Sequence, residues 1–325
     1  MTFLAYFFNL LEPLFKLGQR LLGVQRLGWL FVAPNLIVFG LFCFLPIVIN
    51  VMYATTGGVN LMPWDRPFTG GENFQILFEC GNYTDLSTCR KDIFWRAMGN
   101  TLKFSLIQVG LMVLFSLITA LVLNRKIIGR GFWRGVFFYP VLLSPVVVAL
   151  IWKWLLQSQG AFNAGLIAMD AAPIEWLTQA GWAFFWAVFV SIWAHMGFYT
   201  LILLAGLQAI PKDLYEAAEM DRATPWRTLT RITLPLLLPN LVVVLVLAAI
   251  RAVQVFDEVF VLTGGGPGSA TTFIVQFIYQ TGFAEQIHLY GLAAAASLAL
   301  ALFLILLTLA QLRLTRASEL GQKAR

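Results

Sequence analysis

Trp182-Ala-Phe-Phe-Trp-Ala-Val-Phe-Val-Ser-Ile-Trp-Ala-His-Met-Gly-Phe-Tyr-Thr-Leu-Ile-Leu-Leu204 contains no acid, lysine or arginine. A helix needs about 20 apolar residues to cross the roughly 30 Å hydrocarbon core of a bilayer, and this stretch supplies them. Working outward, five more runs meet the same test: Trp29 to Tyr53, with Pro34 and Pro46 as kink candidates, Thr101 to Leu123, Gly135 to Leu156, Pro235 to about Asp257, and Tyr290 to Leu312. None shows the ten-residue alternation of an outer-membrane barrel strand. The expected fold is all-α: a polytopic transmembrane helical bundle of six spans.

Composition agrees. Of 325 residues, 59% are hydrophobic and only 12% charged, with a mean hydropathy of +0.79, whereas soluble domains carry about 25% charged residues. A net charge of +6 does not point to nucleic acid here, because the positive residues fall between the apolar runs. There they set orientation in the membrane. Six spans put both termini on one face, and fifteen positives share it: Lys16, Arg20 and Arg26, then Arg125, Lys126, Arg130 and Arg134, then Lys212, Arg222, Arg227 and Arg231, then Arg313, Arg316, Lys323 and Arg325. The opposite face has Arg66, Arg90, Lys91 and Arg96. By the positive-inside rule both termini are expected in the cytoplasm.

Outside the spans, residues 1–28 lack the basic start of a secretory signal. Leu10, Leu14, Leu17, Leu21 and Leu22 recur at helical spacing, as in an interfacial amphipathic helix against lipid. Residues 29–100 hold the first span and a long outer loop, 101–312 the core with an inner loop at about 206–235, and 313–325 a tail. Cys80 and Cys89 share the outer loop, and an oxidising compartment makes them a disulfide candidate; Cys43 reads as inert packing.

The inner loop is long for a connector: Pro211-Lys-Asp-Leu-Tyr-Glu-Ala-Ala-Glu-Met-Asp-Arg-Ala-Thr-Pro225. Pro211 followed by Asp213 suits one helix start, and Thr224-Pro225 is an N-cap and first-turn pair for a second. Leu214, Ala217 and Ala218 lie on one helical face, with Glu216, Glu219 and Asp221 beside them. Such a surface fits into another protein's cleft, or simply closes the hairpin between two spans.

This loop resembles the EAA loop of membrane permeases of bacterial ABC importers, the maltose and glycerol phosphate type in particular. A second block agrees: Phe256-Asp257 through Thr263-Gly-Gly-Gly-Pro267, then Thr271-Thr272 and Gly291-Leu-Ala-Ala-Ala, with Asn100-Thr101 opening the second span. The resemblance implies a type I ABC importer permease fold, in which Glu216, Ala217, Ala218 and Asp221 couple to a cytoplasmic ATPase. It also implies a second homologous permease as heterodimer partner, two ATPase subunits and a periplasmic solute-binding protein. The family's usual Gly after the Asp is Arg222 here, so the bend is expected either to shift or to give way to continuous helix.

Several classes find no residues to support them. No Gly-x-x-x-x-Gly-Lys run followed by Ser or Thr exists in the chain, so ATP and Mg belong to a partner subunit and no cofactor is expected on this one. His195 and His288 stand alone, without zinc-ligand spacing. The expected activity is non-enzymatic: carbohydrate import by alternating access. An ion-coupled secondary transporter is the alternative, although no internal repeat supports it.

Polar residues inside spans usually face a wet cavity or another helix. Ser191, His195 and Tyr199 line one face of the fourth span. Ala248 and Ala252 form a small-residue face on the fifth, which also carries Arg251 and Gln254. The resemblance places Ser191, His195, Ala248 and Ala252 at sugar-lining positions. His195 either meets solute or bonds between helices, and Arg251 meets either a ligand or an acid, Asp257 being the nearest in sequence. Asp257, Thr263, Gly265, Gly266 and Pro267 form the expected periplasmic gate.

Overall fold

The computed structural model describes residues 23–323, so most of the amino-terminal segment expected over 1–28 lies outside the described residues. A first helix, α1 (Val24–Phe39), runs through a π-helical stretch (Gly40–Phe44) into α2 (Leu45–Ala54). After an outer loop containing α3 (Glu72–Phe78) come α4 (Asp92–Asn124), α5 (Arg130–Phe138), α6 (Pro145–Leu156) and α7 (Ala161–Ala168). Next are α8 (Ala180–Ala209), α9 (Asp213–Met220), α10 (Pro225–Thr228), α11 (Leu234–Val253), α12 (Asp257–Thr263), α13 (Ile274–Tyr279) and α14 (Tyr290–Lys323). Among the described residues no strand forms, only isolated bridges at Thr56–Phe68 and Cys80–Cys89.

Among the described residues, five stretches are long and apolar enough to span a membrane: Phe31–Ala54, Asp92–Asn124, Ala180–Ala209, Pro225–Val253 and Tyr290–Arg313. The sixth corrects the expectation of one continuous helix over 135–156. Arg130–Leu142 and Pro145–Ala168 meet at an angle of 101°. Two prolines explain the break: Pro140 sits in a 3-10 turn, and Pro145 starts α6 after Ser144 in extended conformation. A proline has no N–H to give the helix and forces the preceding residue out of helical geometry. At the end of the chain α14 continues as helix through residues 313–323.

The core is built where apolar faces meet. α4 packs along α8 and α11 through Phe104, Met112, Leu203, Leu237, Val244 and Ala248. α14 packs on α2 and α3 through its run of small residues, Ala294 to Ala296, against Ala54 and Leu77. α6 and α12 close a third cluster with Val148, Trp186 and Leu262. Apolar side chains elsewhere face outward, as in a protein solvated by lipid rather than water. The outer loop is pinned by Cys80–Cys89, which are disulfide-bonded, and by Arg66. That guanidinium donates to the carbonyls of Gly57 (3.0 Å), Gly58 (2.6 Å) and Asn60 (3.2 Å) and lies against the rings of Tyr53 and Tyr290.

Candidate functional site

The inner loop folds as two helices at a sharp turn. α9 ends at Met220, and Asp221 closes it by bonding back to Ala217 (3.0 Å). Arg222 then takes φ 51°, the left-handed region that costs a non-glycine residue about 1–2 kcal/mol. The turn is thus neither shifted nor replaced by continuous helix. Ala223 N–H reaches Ala218 O (2.9 Å), the bond that closes such a turn. Thr224 caps α10 by accepting from Arg227 N–H (3.4 Å), with Pro225 at the first helical position. The root is fixed by Tyr215, whose hydroxyl pairs with Thr233 (3.2 Å).

Glu216, Ala217 and Asp221 are exposed on this hairpin, while Ala218 is buried at its base. Leu214, Ala217, Ala218, Asp221, Arg227 and Arg231 border a groove of about 590 Å³. Small residues beside a mixed acid and base rim let another chain approach the backbone closely.

Within the bundle, α8, α11 and α12 bring four polar residues together. Ser191 Oγ donates to the buried Glu258 carboxylate (3.2 Å). His195 Nδ1 faces Ser191 O (2.8 Å), and His195 Nε2 meets the Arg251 guanidinium. Arg251 therefore pairs with His195 across the helices. It forms no ion pair with Asp257, which is exposed at the start of α12. Arg251 Nε is buried without a protein partner. Close by, Lys153 on α6 donates to Val261 O on α12 (3.0 Å).

The other lining candidates divide. Ala248, Ala252 and Tyr199 are buried in the cluster formed by α4, α8 and α11. Gln254 is exposed in the break between α11 and α12. Glu258 falls seven positions after Arg251 in the sequence, among the few charges near the membrane interior, and the structure buries it against Ser191.

The glycine-rich stretch is a built loop. Thr263 and Thr271 hydroxyls pair (2.7 Å), Thr271 Oγ1 donates to Gly266 O (2.7 Å), Thr272 Oγ1 to Gly265 O (3.1 Å) and Gln276 Nε2 to Gly264 O (2.7 Å). Asn100 Nδ2 holds Ser269 O (2.7 Å), and Thr101 Oγ1 accepts from Ile274 N–H (2.9 Å). The Asn100-Thr101 pair thus anchors the loop to α4, and Pro267 lies within it. Gly265 has φ 95°, and a Cβ there would come within 2.4 Å of Gln276 Nε2 and 2.7 Å of Thr272 Oγ1. Gly265→Ala is expected to loosen this loop by about 1–3 kcal/mol through strain and crowding. Faster amide hydrogen exchange at 263–276, with α8 unchanged, is the measurement; unaltered exchange would contradict it.

Residues 112–319 match the family model described as binding-protein-dependent transport system inner membrane component. The trehalose/maltose transport system permease protein MalF of Thermococcus litoralis is 36% identical over 292 residues, covering 90% of this chain and 94% of its own length. The multiple sugar-binding transport system permease protein MsmF of Streptococcus mutans is 31% identical, covering 90% and 96%. Among solved structures, a bacterial ABC transporter involved in import of the acidic polysaccharide alginate aligns with a TM-score of 0.76 at 26% identity, over 94% of this chain and 99% of that one. The alginate transporter in complex with an alginate pentasaccharide-bound periplasmic protein gives 0.73 at 25% identity, over 92% and 97%.

Proposed function

Because the chain belongs to the family of binding-protein-dependent transport system inner membrane components, we propose that it is the multi-pass permease subunit of an ATP-driven importer carrying a carbohydrate inward by alternating access. In this reading it is not itself an enzyme. It works with a second, similar permease, two ATPase subunits that use ATP and Mg, and a periplasmic solute-binding protein. The hairpin α9–α10 and both termini then face the cytoplasm, which is also what the fifteen basic residues on that face favour.

The observation that carries the reading is the hairpin: Glu216, Ala217 and Asp221 exposed beside a groove, held at a fixed turn by Arg222. ATP-driven closure of a docked ATPase pair would pull on this lever, and α9–α10 continues through a π-helical stretch (Leu229–Thr233) into α11. Motion at the hairpin therefore reaches Arg251 along one nearly continuous helix. Gly265, Gly266, Pro267 and Thr263, with Asp257 beside them, form the gate on the opposite face. Family membership supports this reading over an ion-coupled carrier. The test is co-purification: the tagged chain, co-expressed with an ATPase subunit encoded alongside it, is expected to bring that subunit down. Solute accumulation by proteoliposomes of the chain alone under an ion gradient would overturn the proposal.

The solute class follows from the relatives and from charge. The relatives' solutes are saccharides, and the two solved structures concern an acidic one. Arg251, donating to His195, puts one positive charge between α8 and α11 where Ser191 and Glu258 also lie, and we assign these residues to the solute path, with Arg251 reading anionic groups. Arg251→Ala is expected to cut uptake of acidic oligosaccharides about tenfold or more, as loss of a charged hydrogen bond of roughly 1.5–3 kcal/mol implies. Neutral oligosaccharide uptake should change little, and equal loss for both would return Arg251 to a purely structural role.

A further inference from the structure

The broken span leaves a helix that the transport reading does not use. α5 lies at 101° to the segment that follows it, so the two do not share one axis across the bilayer. Phe132, Trp133, Val136 and Tyr139 recur at i, i+1, i+4 and i+7 and are 69%, 45%, 45% and 62% exposed, and Ile128 just before them is 98% exposed. This bare stripe is apolar with three aromatic rings among its five residues, the composition favoured where a helix lies in the headgroup region.

Its other side is tied down. Arg130 Nε donates to Leu123 O at the end of α4 (2.6 Å). With the Gln208 amide oriented to satisfy its neighbours, its oxygen accepts from Arg130 (3.2 Å) and Arg134 (2.9 Å). α5 is thus fastened to the last turn of α8, directly before the hairpin that begins at Asp213. Arg125 and Lys126 are exposed at the α4–α5 junction, and no acid occurs between Asp92 and Asp170. A stretch with four positive charges and none to neutralise them complements an anionic surface.

We propose that residues 125–139 form an interfacial site for anionic phospholipid, with Arg125 and Lys126 taking the headgroup phosphate and Phe132 and Trp133 resting among the upper acyl carbons. Lipid bound here steadies the root of the α9 hairpin through Arg130, Arg134 and Gln208. The lipid site stands on geometry alone; only its influence on coupling rests on the transport reading above. The apolar stripe could instead cover a protein partner, but the charge pattern favours phosphate.

The test uses the full chain in nanodiscs of phosphatidylcholine alone or of phosphatidylcholine and phosphatidylglycerol in equal parts, read by amide hydrogen exchange. Phosphatidylglycerol is expected to slow exchange several-fold at 127–138 and at 205–212. The double variant R125Q/K126Q should need far more phosphatidylglycerol for the same protection, about fivefold per charge removed and roughly 30-fold for the pair. Identical exchange in both lipids, or protection appearing only when a second permease co-purifies, would overturn the site. Protection at 127–138 without any at 205–212 would overturn the link to the hairpin. Neither readout requires an ATPase subunit, so failure here and failure of co-purification are separate results.

Discussion

Ala217→Trp is expected to leave the chain folded and inserted while reducing the co-purified ATPase subunit about 30-fold or more, with ATP-driven uptake lost. Ala217 is exposed on α9 and borders the groove, so the indole enters space that the chain itself leaves open. Exposed substitutions away from special features change stability by about ±0.5 kcal/mol. A docking helix is different: its small residues allow close approach, and filling that space in a contact centre costs about 2 kcal/mol or more of binding. Pull-down of the tagged variant beside wild type, together with a thermal melt of each, separates the two effects. Full ATPase retention by A217W would remove α9 from the docking role.

A large loss of stability is expected from Gly197→Leu. Gly197 lies in the middle of α8, where the backbone of the α5 region crosses it: an added Cβ would sit 2.3 Å from Phe137 O, 3.1 Å from Phe137 C and 3.0 Å from Phe138 Cα. These are main-chain atoms, so no side chain can rotate away. Overpacking of this sort costs roughly 1–3 kcal/mol even for small additions and more for a branched side chain. Gly110→Ala in α4 is the matched control, because its added methyl meets nothing within 4 Å. We expect G197L to lower the melting midpoint in detergent by several degrees and G110A to leave it in place. Equal midpoints would mean that α5 does not bear on α8.

The two variants probe parts of the molecule that differ in how far the sequence reveals them. Long apolar runs need no partner to be recognised, so five spans could be read from hydropathy alone. The hairpin was legible too, because Thr224-Pro225 is a local start signal and Arg222 could be flagged as a misfit. Its resolution was not legible: a residue accepts a left-handed φ only when surrounding contacts demand it, and Ala218 supplies the contact. The broken third span had its signal in Pro140 and Ser144-Pro145, but an apolar run around prolines looks the same whether the helix kinks or stops. Pairing across helices was beyond reach. Nothing local tells Arg251 that its neighbour is His195, 56 positions away, and not the adjacent Asp257. Likewise the spacing of Tyr199, Ala248 and Ala252 does not tell that three helices pack around them.

The first helix has one more lesson, and it concerns time. None of its most apolar window is buried by the rest of the chain; α2 leans chiefly on α14, where Asn50 Nδ2 bonds to Ser297 Oγ (2.8 Å) across 247 positions. A ribosome adding about 5–20 residues per second needs roughly 12–50 s to make that stretch. Throughout this interval the first span stands in the bilayer as a solitary post, its amide waiting for a partner not yet synthesised. Any truncation before Ser297 removes that amide's partner.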